Sequence, residues 1–365
     1  MLELILPDGK SLRFDRPVRG LDVLAEMGPR WSKTAVAARL GDRLFDLLTY
    51  LPSEGAFEFR LLTQRDGEVL ELMRHSAAHL MARAVLRLFP GAKLAFGPPV
   101  ENGFYYDFFL PRSLTEDDFP AIEAEMARLA ELDEPFERLE VPRDKALEIC
   151  RELDQPFKVE HLEDGLKQES VVSFYRQGEF LDLCEGPHVP SAGWIKAFKL
   201  LSVAGAYWRG DASRQQLQRL YATAWFSQDD LRQYLDRLAE AKKRDHRVLG
   251  KRLELFLIEP TVGSGLILWL PKGAILRREL EKFLNEELIR RGYQAVYTPH
   301  IGRVELYQTS GHYPYYADSQ FPPIQMAEGD RYLLKPMNCP HHIMIYQSRP
   351  RSYKELPLRL AEFGT

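Results

Sequence analysis

Near residue 63 the hydrophobic rhythm of the chain changes, and no single uniform architecture accommodates both halves of that change. Before it, apolar side chains recur at alternate positions. Leu2, Leu4 and Leu6 lead into the turn Pro7-Asp8-Gly9-Lys10, Leu12 and Phe14 resume the pattern, and Phe57, Phe59 and Leu61 close it. A period of two lays one face of a strand on a core. Leu40-Gly41-Asp42-Arg43-Leu44 supplies a second hairpin, and Leu21 to Met27 a short helix stopped by Gly28-Pro29. Hairpin, helix, hairpin and strand predict a ubiquitin-like β-grasp over residues 1–62.

Beyond it the texture becomes mixed α and β. A helix is expected from about Leu70 to Leu88, ending at Pro90-Gly91, with Leu80, Ala84 and Leu88 as its core stripe. His75 and His79 fall on another stripe, beside the small residues Ala78 and Ala82, which leave room for a ligand. Gly97-Pro98-Pro99 breaks the chain before an aromatic run at 104–108, and Phe119 to Leu132 forms a further helix. Ser227-Gln228-Asp229-Asp230 resembles a capping box. It opens a linker helix that carries the basic run Lys242-Lys243-Arg244-Asp245-His246-Arg247. After Pro271-Lys272-Gly273, the spacing of Leu276, Leu280, Phe283, Leu284 and Leu288 predicts an amphipathic helix ended by Gly292. At 365 residues, two or three domains are expected.

Hydrophobic residues at 45% and charged residues at 28% describe an ordinary soluble globular protein. No window approaches the roughly 20 apolar residues of a membrane span, and the amino terminus, with Glu3 and an early turn, is no secretory signal. Cys150, Cys184 and Cys339 make no disulfide framework and no CxxC pair, which fits a reducing cytoplasm. The net charge of −4 gives no global basic signature, so any nucleic-acid contact must be local, as in the run at 242–247.

Two pairs of nitrogen and sulfur side chains stand out. His75 and His79 are one helical turn apart, and Cys184 and His188 repeat that spacing around Glu185-Gly186-Pro187. Together they can line one polar pocket. Three imidazoles and a thiol are a competent tetrahedral zinc set. The same groups can instead hold and polarise a water beside an ester. A second candidate is Cys339, between Pro336 and Pro340, placed to offer a thiolate to zinc.

Six segments then carry a resemblance. They are His75-Ser76-Ala77-Ala78-His79, Gly103-Phe104-Tyr105-Tyr106-Asp107, Asp182-Leu183-Cys184-Glu185-Gly186-Pro187-His188, Ala204 to Asp211, Met337-Asn338-Cys339-Pro340, and Leu356 to Gly364. In this order they resemble the threonyl-tRNA synthetase family, collinear with the whole chain. The resemblance implies an α+β multidomain fold. It implies a β-grasp (TGS) domain at 1–62, an editing domain at 63–225, a linker helix at 226–247 and a partial class II synthetase catalytic domain at 248–365. It also implies a homodimer contact from Leu276 to Pro299.

The resemblance further implies the roles of single residues. Cys339 matches the zinc-binding cysteine of the synthetic site, and Met337 its pocket neighbour. His75, His79, Cys184 and His188 match the editing quartet, joined by Asp182 and Lys158; the threonyl version works on water without metal. Lys242, Lys243, Arg244 and Arg247 are expected on tRNA phosphates. The implied activity is ATP- and Mg2+-dependent attachment of threonine to its tRNA, with hydrolysis of mischarged seryl-tRNA. His341 departs from the pattern, standing where the family has Gly. The motif 2 arginine, the two zinc histidines, motif 3 and the anticodon-binding domain are expected beyond Thr365. Three rival expectations are a free-standing trans-editing deacylase, a non-catalytic tRNA-binding module, and a zinc hydrolase unrelated to tRNA.

Overall fold

The computed structural model describes residues 1–327 and 329–364. It is a mixed α/β chain in two compact units, Met1–Ala239 and Glu240 onward.

The first unit begins with β1 (Leu2–Ile5), β2 (Ser11–Phe14), α1 (Gly20–Met27), α2 (Pro29–Ser32), β3 (Ala35–Leu40), β4 (Arg43–Asp46) and β5 (Gly55–Thr63). The strands form one sheet in the order β2-β1-β5-β3-β4. β1 and β5 run parallel, Leu2 opposite Gly55, and the other neighbours are antiparallel. Alternation does what the sequence promised: Leu2 and Leu4 are buried in a core with Val23, Leu24, Phe59 and Leu61.

α3 (Gly67–Leu88) follows at once. Its core face is not a stripe. Side chains from Val69 to Val85 are buried on nearly every side, and Ala78 and Ala82 pack into the central core and leave no space for a ligand. A helix covered on nearly every side is mostly small or apolar, which explains the alanines, and its buried Ser76 and Arg83 are hydrogen-bonded. Leu88, expected in the core, is exposed at the helix end. β6 (Lys93–Leu94), β7 (Pro99–Val100), β8 (Gly103–Phe109), α4 (Phe119–Glu131), β9 (Glu137–Pro142), α5 (Arg143–Glu152), α6 (Pro156–Asp164), β10 (Val171–Gln177), β11 (Phe180–Leu183), β12 (Ala197–Tyr207) and β13 (Gln216–Trp225) complete the unit. β12-β13-β8-β6, with β7 on β8, make a five-stranded sheet, and β11-β10-β9 a three-stranded one. Phe104, Tyr106 and Phe108 point from β8 into the core shared with α3 and α4.

α7 (Gln228–Lys243) starts at the expected cap, where the Asp230 amide donates to Ser227 Oγ at 3.1 Å. It does not run through 247. Asp245 accepts from the Arg247 amide at 2.8 Å and starts a separate helix, α8 (His246–Arg252). A side chain that caps a new helix cannot sit comfortably inside an old one.

The second unit continues with β14 (Phe256–Ile258), β15 (Ile267–Trp269), α9 (Pro271–Arg290), β16 (Gln294–Ala295), β17 (Ile301–Arg303), α10 (Val304–Thr309), β18 (Ile324–Gln325), β19 (Arg331–Leu334), α11 (Cys339–Gln347) and β20 (Leu360–Ala361). β17-β19-β18 pair antiparallel and β16 pairs with β20 in parallel. Its buried apolar cluster is small: Val304, Tyr307 and Leu333. The apolar positions of α9 lie in the expected helix but face solvent, with Leu280 65% and Phe283 60% exposed.

Candidate active site

The four side chains of the quartet meet. Their ligand atoms all lie within 4.8 Å of one another, and among the described residues they are the only convergent group of three or more His, Cys, Asp or Glu donors. The two pairs reach this point by different routes. His75 and His79 project from α3 one turn apart, ring centroids 5.3 Å apart. Cys184 and His188 are on a loop after β11 and not on a helix, although their spacing is helical.

That loop is held locally. The Cys184 amide donates to the Ser173 carbonyl at 3.0 Å, and Ser173 Oγ donates to the Cys184 carbonyl at 2.6 Å. Gly186, at φ +75, turns the chain where an added Cβ would lie 2.0 Å from the Tyr175 hydroxyl. Left-handed backbone with no room for a side chain demands glycine. Cys184 Sγ then lies 3.3 Å from His75 Nε2 and 3.4 Å from His188 Nε2.

His188 is fully buried. Phe136 stacks on it at 5.0 Å, and Tyr175 meets its edge at 4.3 Å. Ser76 Oγ is 3.0 Å from His188 Nδ1, and it accepts from the Val189 amide at 3.0 Å while bonding the Leu72 carbonyl. Tyr175 in turn donates to Asp46, at the end of β4, at 2.5 Å. The leading sheet therefore reaches the site through a chain of two contacts.

Lys158 and Asp182 join the quartet from α6 and β11. Lys158 Nζ is 2.8 Å from Asp182 Oδ1, and His79 Nε2 is 3.8 Å from Oδ2. Tyr106 donates to the same Oδ2 at 2.6 Å. Tyr106 is the functional-site neighbour that sequence reasoning missed; its signal was only the aromatic run at 104–108. A cleft of about 910 Å³ opens here, lined by His75, His79, Tyr106, Lys158, Asp182 and Cys184. His188 stands behind this wall.

Burial sets the protonation. Loss of water pushes His75 down to about 4 and His79 to about 3, and drives His188 well below its ordinary value. The same cause pushes the Cys184 thiol up to about 12. Burial alone would raise Asp182; the Lys158 charge, then His79 and the hydrogen bonds, override it and hold the carboxyl below its usual range. Burial and Asp182 push the Tyr106 phenol well above its ordinary value, so it stays a donor. Near neutral pH the site is three neutral imidazoles and a thiol beside one buried ion pair.

The other predicted residues do not converge. Cys339 is exposed at the start of α11, and Met337 Sδ sits 3.4 Å from His312 Nε2. Among the described residues no second or third donor accompanies Cys339. His341 lies edge-on to Tyr307, centroids 6.1 Å apart. Nearby, Lys335 donates to Glu362 at 3.0 Å and to Thr298 at 2.9 Å. The basic run straddles α7 and α8. Lys243 and Arg244 pair with Glu240, and Arg247 with Asp245, while Lys242 extends from the last turn of α7.

The profile described as threonyl and alanyl tRNA synthetase second additional domain matches residues 172–221, from β10 to β13. That stretch holds Asp182, Cys184 and His188. Over 100% of this chain, threonine–tRNA ligase of Rhodopirellula baltica is 48% identical, that of Chloroherpeton thalassium 50% and that of Thermus thermophilus 52%. The chain spans 56–57% of the length of these relatives. A solved RNA binding domain of threonyl-tRNA synthetase from Cryptosporidium parvum is 40% identical over 33% of this chain and 30% of its own, with a TM-score of 0.32.

Proposed function

We propose that this chain, similar along its whole length to threonine–tRNA ligases, carries the site at which such an enzyme hydrolyses mischarged seryl-tRNA. The observation that supports it is the meeting of His75, His79, Cys184 and His188 with Lys158, Asp182 and Tyr106 on one open cleft. Threonine and serine differ by one methyl, and a pocket discriminates a methylene by only about 1–3 kcal/mol. Selection before attachment is therefore incomplete, and a second site that removes serine afterwards raises fidelity.

In this reading a water oxygen bonds to the ester carbonyl carbon, the carbon–ribose oxygen bond breaks, and a water proton passes to the departing ribose oxygen. Imidazoles with values as low as about 3 and 4 are weak bases. They act by accepting the water's hydrogen bonds and aiming it. The Lys158 ammonium, on the cleft wall beside Asp182, steadies negative charge developing at the carbonyl. Asp182, fixed by Lys158 and Tyr106, receives the substrate's amino group or hydroxyl.

The donor distances favour a second reading, in which the quartet holds zinc. A bound zinc ion supplies Lewis-acid polarisation of water or carbonyl. Metal analysis of purified protein separates the two: one zinc per chain whose removal stops hydrolysis selects the second.

The remaining assignments belong to the same proposal. Residues 1–62 are a β-grasp (TGS) unit, residues 63–225 the editing domain and 226–247 the linker, although the basic run spans a helix break. Residues from 248 are part of a class II catalytic domain, in which Met337 and Cys339 face threonine. Lys242, Lys243, Arg244 and Arg247 contact tRNA phosphates. ATP, Mg2+, threonine and its tRNA are the partners of the whole ligase, and a homodimer forms through Leu276 to Pro299, whose exposed apolar face supports it. Three free cysteines support a cytoplasmic setting, and no described helix is long and apolar enough to cross a membrane.

The test is direct. The chain should release serine from seryl-tRNA and leave threonyl-tRNA intact, and His75→Ala should abolish the release. Full activity in that variant removes the site assignment.

A further inference from the structure

Arg83 lies on α3 two turns past His75 and one past His79, and its side chain is only 2% exposed. Its guanidinium is divided between two carboxylates. Nη1 meets Glu134, while Nε and Nη2 meet Glu179, the Nε bond measuring 3.1 Å. Glu179 is in the β10–β11 turn, and β11 runs from there directly into Asp182 and Cys184. Gly178, beside it at φ +57, lets that turn close onto the guanidinium: an added Cβ would stand 2.5 Å from Arg83 Nη2. Glu134 holds the other flank. Its carbonyl accepts from the Ala192 amide at 2.9 Å, and the neighbouring Phe136 amide donates to the Pro190 carbonyl at 3.2 Å.

Both ends of the segment that carries Cys184 and His188 are thus tied to one guanidinium on the helix that carries His75 and His79. We infer that Arg83 is a positioning residue, which sets the separation between the helix-borne and loop-borne halves of the quartet. A planar fork with two carboxylate partners has little freedom to drift, which a flexible point charge would not match. Reacting groups need positions accurate to about half an ångström, and neither half of the quartet is covalently near the other.

The kinetic arm of the test rests on the proofreading reading; a second arm does not. Glu179→Ala removes one of the two carboxylates on Arg83, together with the contact from Arg87 to the same carboxylate, at a half-exposed turn and should leave the fold intact. It should lower kcat for seryl-tRNA deacylation about tenfold with KM nearly unchanged, and raise iodoacetamide labelling of Cys184 several-fold, read by peptide mass spectrometry. Arg83→Gln should do the same more strongly, and Arg83→Lys should recover part of both. Glu125→Ala, which removes one of the two carboxylates on Arg87 and the partner of Arg128 but leaves both carboxylates of Arg83 in place, should match wild type.

Wild-type kcat and wild-type Cys184 labelling in Glu179→Ala overturn the inference, as does an equal loss in Glu125→Ala. Should Arg83→Gln not fold, Glu179→Ala and Arg83→Lys decide. If wild-type protein fails to deacylate seryl-tRNA, the proofreading reading falls and Cys184 labelling alone decides the role of Arg83.

Discussion

Lys158 Nζ and Asp182 Oδ1 are 2.8 Å apart, and both side chains are 3% exposed. Each is the other's compensation. Removing one partner of such a pair leaves a buried charge and costs roughly 3–5 kcal/mol, more than the intact pair contributes. Lys158→Met and Asp182→Asn should each reduce the unfolding free energy of the first unit by that order, read from denaturant titration, and abolish deacylation. The double variant should recover stability without recovering activity. Single variants as stable as wild type contradict this.

Acid should weaken the fold before it stops the chemistry. His75 and His79 sit at about 4 and about 3, and His188 is also far down, whereas unfolded histidines titrate near about 6.5. Between those values the unfolded chain binds more protons than the native one, so stability is complete above about pH 6.5 and falls as pH drops toward 4. Over the same range the native imidazoles stay neutral. Denaturation midpoints at pH 7.5, 6 and 5 should decline in order, while initial deacylation rates at pH 5.5 remain near the neutral value. An acid limb centred on pH 6.5 would show that the site histidines titrate as exposed ones.

Gly186→Ala should disable the site without touching a reactive group. A Cβ there overlaps the Tyr175 hydroxyl at 2.0 Å on a backbone at φ +75. Either the loop or Tyr175 must move, and both touch His188. Deacylation should drop at least tenfold with a stability loss of about 1–3 kcal/mol, measured on the purified variant. Unaltered kinetics would mean that the loop position is not critical.

The apolar face of α9 predicts self-association. Leu280 and Phe283 are exposed at 65% and 60% in a unit with a small core of its own. Light scattering should find dimers or larger species at micromolar concentration, and Leu280→Glu with Phe283→Glu should shift them toward monomer. A monodisperse monomer in wild type would remove the proposed dimer contact.

Much of this was legible in the residue pattern. The alternation of Leu2 and Leu4 found the first strand because burial writes itself locally into a sequence, and helical spacing located α3 and α9, although α3 is covered on nearly every side and the apolar positions of α9 meet solvent. The cap at Ser227 was readable because its hydrogen bond joins residues only three apart. What could not be read depends on distant neighbours. The spacing of Cys184 and His188 is helical, yet β11 delivers them on a loop, and only the close approach of Tyr175 explains Gly186. Tyr106 reaches Asp182 across 76 residues, and nothing in the aromatic run marks it from Tyr105. Ala78 and Ala82 were read as space beside a ligand because periodicity does not tell how many faces of a helix are covered. The break at Asp245 was hidden by a basic run that continues through it.

The hydroxyl of Tyr175 is committed to Asp46, the last residue of the fourth strand, while its ring braces His188. The opening sheet is consequently no detachable appendage. An amputated form starting at residue 63 would take from that phenol the carboxylate that fixes it, and the damage would register in proofreading by way of a histidine more than a hundred positions downstream.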